Sequence, residues 1–237
     1  MLTATWCRAT FSWPGSDART AIRWLSRCGV ACLALGYAQA QQPPTAAGTG
    51  PAADFFALEE RLLAADGMRF EFRVTAEGVI EADLQGALDI GPAADARLAA
   101  SGTFDGQPVD LLLRTSGNQL ELGNGTNVTR TATPAYLKEA LVIGVTRMGV
   151  LHNLARLTAG AAPDHAAGGV RDWVTLGSFA ADAGALSFDL TVAGEPAGSA
   201  ALQVDSAGHP MLRRQTVEFP AGQMRVVERY SAFTTVE

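Results

Sequence analysis

The sequence predicts an α+β fold in which helices cover the single apolar face of an antiparallel sheet. From Met68 to Ile90 every even-numbered residue is apolar or glycine, and nearly every odd-numbered residue is polar. This period-two alternation is typical of strands with one buried face and one solvated face. After Gly123 the apolar residues follow three- and four-residue spacing, which predicts a helix. Because a sheet with one apolar face needs a cover, we expect the helix to pack on it.

Turn sequences allow the buried face to be followed from one strand to the next. A hairpin loop with an odd number of residues keeps the parity of the buried positions, and an even number switches it. We predict loops at Ala76-Glu77-Gly78, Gly91 to Asp95, Asp105-Gly106 and Ser116-Gly117. The apolar residues become odd-numbered after the third loop and even-numbered again after the fourth. The sequence therefore predicts a five-strand meander with one apolar face.

Two helices are the predicted cover. The shorter helix runs from about Ala52 to Ala65, and the longer one begins with Pro134 as its first residue and continues to about Leu157. Gly144 and Gly149 inside the longer helix each cost about 1 kcal/mol relative to alanine. They indicate either close packing on the sheet or points at which the helix moves.

Period-two alternation returns at Leu186, and the chain ends in a hairpin. Residues 170–179 are ambiguous, and about four strands are expected after the long helix. A two-residue loop at Ala221-Gly222 would set the register of the last hairpin. Polar residues then fall on the face that should be buried, with Gln215 opposite Glu228 and Arg213 opposite Tyr230.

This polar cluster has two interpretations. A few polar groups within an apolar concavity would suit the head group of an amphiphile. Alternatively, the hairpin extends beyond its cover and both faces are solvated, or a bulge near His209 shifts the register.

The first forty residues predict a secretory signal peptide. Four arginines precede the apolar run Gly29 to Leu35, and Ala38-Gln39-Ala40 is a cleavage site of the A-x-A type. We expect cleavage after Ala40 and a periplasmic protein, with an uncleaved signal anchor as the alternative. Residues 41–53 would be a flexible lead-in, and residues 54–237 a single domain.

Composition and motifs exclude several classes of function. Residues 41–237 carry 14 basic and 23 acidic side chains, a net charge of −9, which disfavours nonspecific binding to nucleic acid. All three cysteines lie in the leader, and no two of the three histidines have metal-ligand spacing. The G-x-S-x-G nucleophile motif is absent. We therefore expect no catalytic residue, no metal and no cofactor, and a protein that is not an enzyme.

The order of these elements resembles the LolA/LolB-like fold of periplasmic lipoprotein carriers and lipid-binding lipoproteins. The closing stretch, from Gly208-His-Pro-Met-Leu-Arg-Arg214 to Phe233, is similar to the last hairpin of that group. The resemblance implies a curved sheet, an open half-barrel, with helices over a concave apolar cavity that accepts acyl chains. No functional residue of the family can be matched to a position here.

The expected function is binding or carriage of a lipid or lipidated molecule in this cavity. The alternative is a structural or partner-binding module with a filled core and no ligand. We expect a monomer, with an envelope protein as a possible partner. The candidate ligand-binding residues are Phe70, Phe72, Leu111, Leu113, Leu141, Met148, Arg213, Gln215, Glu228 and Tyr230.

Overall fold

A computed structural model describes residues 49–92, 95–125, 127–159 and 170–236. The predicted signal peptide and most of the lead-in lie outside the described residues. The helical elements are α1 (Pro51–Ala64), α2 (Leu137–Ile143), a π-helical segment (Gly144–Met148), α3 (Val150–Thr158) and α4 (Val170–Trp173). The first six strands are β1 (Gly67–Gly78), β2 (Ala82–Ile90), β3 (Ala96–Phe104), β4 (Gln107–Ser116), β5 (Gln119–Gly123) and β6 (Val128–Ala132). The last five are β7 (Val174–Asp182), β8 (Ala185–Val192), β9 (Glu195–Val204), β10 (Pro210–Phe219) and β11 (Gly222–Val236).

All eleven strands form one antiparallel sheet. Their order is β6-β5-β4-β3-β2-β1-β11-β10-β9-β8-β7, so the first and last strands pair at the centre. The described residues leave β6 and β7 as the two edges of an open sheet. The predicted fold class, an open antiparallel sheet with helices on its apolar face, is confirmed.

The alternation of apolar and polar residues produces the buried face as predicted. Leu84, Leu88 and Leu98 on neighbouring strands have no exposed surface. Burial of one such side chain contributes about 2 kcal/mol. Helix α1 packs on the C-terminal half of the sheet, where the Phe55 and Phe188 rings lie 4.8 Å apart. Helix α3 packs on β4 and β5 in the other half.

The meander of five strands is extended by a sixth, because β6 pairs with β5. The predicted loops at 91–95 and 105–106 are confirmed by the strand register. The first loop is longer than predicted, since Ala76 pairs with Ala82 and residues 77–81 connect the strands. Gly78 lies within this connection but still pairs with Met224 of β11. Its φ of +121° lets β1 approach the β11 backbone where a Cβ would clash with it.

The fourth loop is displaced by one residue. Ser116 pairs with Gln119, so the loop is Gly117-Asn118, and Gly117 takes its first position with φ +58°. Neither displacement changes whether a loop is odd or even. The predicted parity of the buried face therefore holds throughout the meander.

The predicted register of the last hairpin is wrong, because the loop lies one residue earlier and each partner is displaced by two positions. Phe219 pairs with Gly222, so the loop is Pro220-Ala221, where the fixed φ of proline suits the first loop position. Arg213 consequently lies opposite Glu228, and Gln215 lies opposite Val226. The alternative in which the hairpin extends beyond its cover is also wrong, because Arg213 and Glu228 have no exposed surface.

The prediction of one continuous helix from Pro134 to Leu157 is wrong. The chain forms α2, passes through the π-helical segment and breaks at Gly149 before α3 begins. Gly149 adopts φ +85° and ψ +155°, which is not a helical conformation. The break divides the cover into two short helices.

Candidate ligand site beneath the helices

The apolar residues predicted to line a cavity lie together where the helices cover the sheet. The lining residues of the sheet and of α2 are at most 4 % exposed: Phe70, Phe72, Leu111, Leu113 and Leu141. Met148, at the end of the π-helical segment, is half-buried and packs against the same hydrophobic cluster. Phe70 and Leu141 have no exposed surface, so neither borders a void that would hold a water molecule. Both residues belong to one buried hydrophobic cluster that includes side chains of the helices and of the sheet.

The predicted polar cluster projects into this core from the adjacent strands β10 and β11. Arg213 and Glu228 are fully buried, and Gln215 and Tyr230 are 6 % exposed. The Arg213 Nη1 group donates a hydrogen bond to Gln215 Oε1 at 2.5 Å, and the Tyr230 hydroxyl donates to the Glu228 carboxylate. Two strands thus place four polar side chains on the otherwise apolar face.

Glu228 binds the beginning of helix α3. The backbone N–H groups of Val150 and Leu151 donate to its two carboxylate oxygens at 3.0 and 2.9 Å. The first N–H groups of a helix have no partner within the helix, and the helix dipole favours negative charge there. A carboxylate from a distant strand therefore provides the cap, since α3 has no capping side chain of its own.

Gly149 makes this cap possible. A Cβ at this position would lie 2.6 Å from Glu228 Oε1, well inside van der Waals contact. Glycine also adopts the observed φ of +85° without steric cost. The break in the helix and the position of the carboxylate thus depend on each other.

Arg213 binds the turn that precedes the break. Its Nη2 group donates to the backbone carbonyl of Arg147 in the π-helical segment. Burial lowers the pKa of the Arg213 guanidinium, and the nearby Glu228 carboxylate opposes this effect. Its Nε atom is buried and has no hydrogen-bond partner among the described residues. The sheet therefore holds both sides of the break, through Arg213 and Glu228.

Tyr230 remains protonated within the cluster. Burial raises the pKa of its hydroxyl well above the ordinary value, and the charge of Glu228 adds to the effect. A neutral phenol donates a hydrogen bond to the carboxylate, whereas a phenolate would repel it. The protonated state of Tyr230 is therefore part of the capped arrangement.

A second buried ion pair joins the π-helical segment to helix α1. Arg147 donates from Nε and Nη2 to the two carboxylate oxygens of Glu59 at 2.8 and 2.5 Å. Thr146 Oγ1 donates to the same carboxylate at 3.0 Å. Arg147 Nη1 also donates to the backbone carbonyls of Arg171 and Val174 at 2.9 and 2.6 Å. Both members of the pair are at least 95 % buried.

This pair was not predicted from the sequence, although α1 contains a signal for Glu59. Phe55, Leu58 and Leu62 define the apolar side of α1, and Glu59 follows Phe55 by four residues on that side. A glutamate on a buried stripe requires a partner. The identity of the partner, 88 residues away, is not encoded in the periodicity.

The charges of these two clusters balance one another, with Glu59 and Glu228 against Arg147 and Arg213. Their side chains bind helix backbone or each other, so the network connects the sheet, α1, the π-helical segment and α3. We name this set of four the polar seam. The role of Arg213, Gln215, Glu228 and Tyr230 in binding a head group stays a prediction.

Comparisons with known proteins bear on the fold alone. No family model matches the chain, and no curated protein matches it. A LolA superfamily protein from Nitrosomonas europaea is similar in structure, with 8 % identity and a TM-score of 0.38 over 80 % of this chain and 94 % of that one. LprF from Mycobacterium bovis has 9 % identity and a TM-score of 0.36 over 78 % and 95 %. A DUF1329 family protein from Desulfovibrio piger has 10 % identity and a TM-score of 0.31 over 79 % and 94 %.

Among the described residues, no helix combines the length and the apolar character that a membrane span requires.

Proposed function

We propose that this protein binds a lipid or another molecule with an acyl chain between the apolar face of the sheet and its helical cover. The cover consists of α2, the π-helical segment and α3. In the described conformation it lies directly on the sheet. Binding then requires the cover to move away while the sheet remains folded.

The observation that carries this proposal is the polar seam between the cover and its supports. Separation of two purely apolar surfaces exposes both to water and costs about 25 cal/mol per Å². Separation along buried charges also restores their hydration, which offsets part of that cost. A seam of this kind holds the cover in one position and still allows it to open.

The break at Gly149 supports the same movement. Two short helices joined by a glycine outside helical geometry can reorient separately, which one long helix cannot do. The π-helical segment is itself a geometry that occurs often at functional sites. In the open state, the charged groups of the polar seam would be solvated by water.

The closed core favours a second candidate, a structural or partner-binding module without a ligand. Phe70, Leu141 and Leu154 have no exposed surface, as expected of a filled core. Export to the periplasm after cleavage at Ala40, a monomeric state and an envelope partner belong to the proposal and are supported by the sequence alone.

Native mass spectrometry of residues 41–237, purified from the host, tests the proposal. We expect an additional species of lipid mass and saturable binding of a fluorescent fatty acid. A clean apo mass together with no binding of the probe would exclude ligand carriage and support the filled-core module.

A pair of substitutions on one strand locates the site. Phe72→Glu places a charge in the buried face, whereas Thr75→Glu places it on the opposite face of β1. We expect Phe72→Glu to abolish probe binding while circular dichroism still reports a folded sheet, and Thr75→Glu to bind normally. Unfolding of Phe72→Glu in a protein whose wild type binds no probe would favour the filled core.

A further inference from the structure

The outer face of the sheet, opposite the helices, carries a groove that crosses the middle of four strands. Its volume is about 410 Å³. It is lined by residues 187–189 of β8, 199–201 of β9, 214–216 of β10 and 225–227 of β11, together with Ser178 of β7. The first and third residues of each segment lie on the outer face, whereas the middle residues Phe188, Ala200, Gln215 and Val226 are buried on the helical face. The groove therefore lies across the sheet from the buried apolar face.

The strand register explains the shape of the groove. In one row Ser187, Ala201 and Arg214 pair side by side, and in the next row Ser199, Thr216 and Arg225 do so. Small side chains on β8 and β9 therefore lie beside long arginine side chains on β10 and β11. The side chains are short at the β8 and β9 end of the groove. The arginine side chains of β10 and β11 line the other end.

Arg214 and Arg225 are diagonal neighbours on adjacent strands, a spacing at which long side chains reach one another. Both side chains are exposed, and neither side chain forms a hydrogen bond or an ion pair with any described residue. Glu77 lies opposite Arg225 without an ion pair. Asp189 lines the far end, three strand spacings or about 14 Å from Arg225. Both arginine side chains thus line the groove without forming an ion pair with a described carboxylate.

Strand β7 contributes a hydroxyl group to the same groove. Its pairing with β8 is irregular between Gly177 and Ala180, and Ser178 within this bulge has φ +53°. Bulges redirect side chains, and strained residues occur often at binding sites. Ser178 lines the groove, as do Ser187, Ser199 and Thr216.

We propose that this groove binds a phosphate-type oxyanion carried by a phosphorylated ligand. Arg214 and Arg225 supply charge-assisted hydrogen bonds, and guanidinium groups match the geometry of phosphate oxygens. The hydroxyls of Ser199 and Thr216 lie in the same row as Arg225 and complete the set of donors. The volume exceeds that of a bare phosphate, so the rest of the ligand lies over the small residues of β8 and β9.

Amide chemical-shift titration of residues 41–237 with inorganic phosphate tests this site. We expect saturable shifts confined to the four groove segments and weakened by added salt. Arg214→Gln and Arg225→Gln should each weaken binding about tenfold or more, since each removes a charged hydrogen-bond donor. Arg97→Gln, an exposed arginine on β3 outside the groove, is the matched control and should bind as wild type.

Sedimentation with phosphatidylcholine vesicles, with and without phosphatidic acid, distinguishes the source of the phosphate. Shifts with soluble phosphate assign the groove to a soluble phosphorylated ligand. Binding to the phosphatidic acid vesicles alone, lost in Arg214→Gln, assigns it to a lipid head group. No response in either assay, or an equal loss in Arg97→Gln, would overturn the proposal. The groove lies on the opposite face from the acyl-chain site, so either proposal can fail alone.

Discussion

The Glu228 side chain on β11 accepts a hydrogen bond from the backbone N–H of Val150 at 3.0 Å, although the two residues are 78 positions apart. The carboxylate thus caps a helix of the cover from the centre of the sheet. It also accepts hydrogen bonds from Leu151 and Tyr230. The beginning of α3 is therefore fixed to the sheet by one side chain.

Glu228→Gln should destabilise the fold by about 3 kcal/mol. The substitution removes the buried charge that accompanies Arg213 and weakens the helix cap. Urea denaturation measures the change. Glu218→Gln, on the exposed face of the same hairpin, is the control and should change stability by less than about 0.5 kcal/mol. Equal effects of the two substitutions would contradict the assigned role of Glu228.

Gly149→Ala should be more destabilising than the same change at another glycine of positive φ. Gly184 has φ +79° with open space around it, whereas a Cβ at Gly149 would lie 2.6 Å from Glu228 Oε1. Gly184→Ala therefore measures the strain of a positive φ without a clash, about 1–2 kcal/mol. Gly149 adds to this the contact with Glu228 and a ψ of +155°, a backbone region open essentially to glycine alone. We expect Gly149→Ala to exceed it by at least about 1 kcal/mol in thermal or urea unfolding. A similar loss at both sites would show that the carboxylate moves aside freely.

A double-mutant cycle on Glu59 and Arg147 should reveal strong coupling. Removal of one partner leaves a buried, unpaired charge and costs about 3–5 kcal/mol, so Glu59→Met with Arg147→Met should cost much less than the sum of the single changes. The exposed pair Arg73 and Asp83, at 3.1 Å, is the control and should couple by less than about 1 kcal/mol. Additive effects at Glu59 and Arg147 would show that the pair does not act as a unit.

Tyr230 should make the fold sensitive to alkali. Burial raises the pKa of its hydroxyl well above the ordinary value of 10.0, so in alkali the unfolded chain loses this proton before the folded chain does. The stabilisation is complete below pH 10 and is lost as the pH rises through the folded pKa. The Tyr230→Phe variant has no hydroxyl group to titrate, and it also lacks the hydrogen bond to Glu228. Its deficit of about 1 kcal/mol at pH 8 should therefore shrink above pH 10. A constant deficit at all pH values would contradict the raised pKa.

The sequence predicted which side chains of the site face the core, because the alternation along each strand determines this. Arg213, Gln215 and Glu228 were identified because polar residues occupied positions that alternation assigns to the core. Their pairing was wrong because either Ala221-Gly222 or Pro220-Ala221 can form the two-residue loop. The parity of the strand is the same in both cases, so the buried face was predicted and the partners were not.

The contacts between the helices and the sheet were not predictable from local pattern. The break at Gly149 requires the carboxylate of Glu228, which lies far away in the sequence. Glu59 and Arg147 join two helical elements. No repeating spacing in the sequence relates these two residues to each other. Such features depend on tertiary contact, and the sequence indicates only that a buried charge needs a partner.

Hydrogen exchange of the amides in residues 144–158, with and without a saturating fatty acid, tests the opening of the cover most directly. Opening breaks the hydrogen bonds from Val150 and Leu151 to Glu228 and exposes the cover to solvent. If the cover opens, we expect the fatty acid to accelerate exchange in this segment while β1, β2 and β11 remain protected. Unchanged exchange throughout the chain would contradict an opening cover and favour a filled core without a ligand.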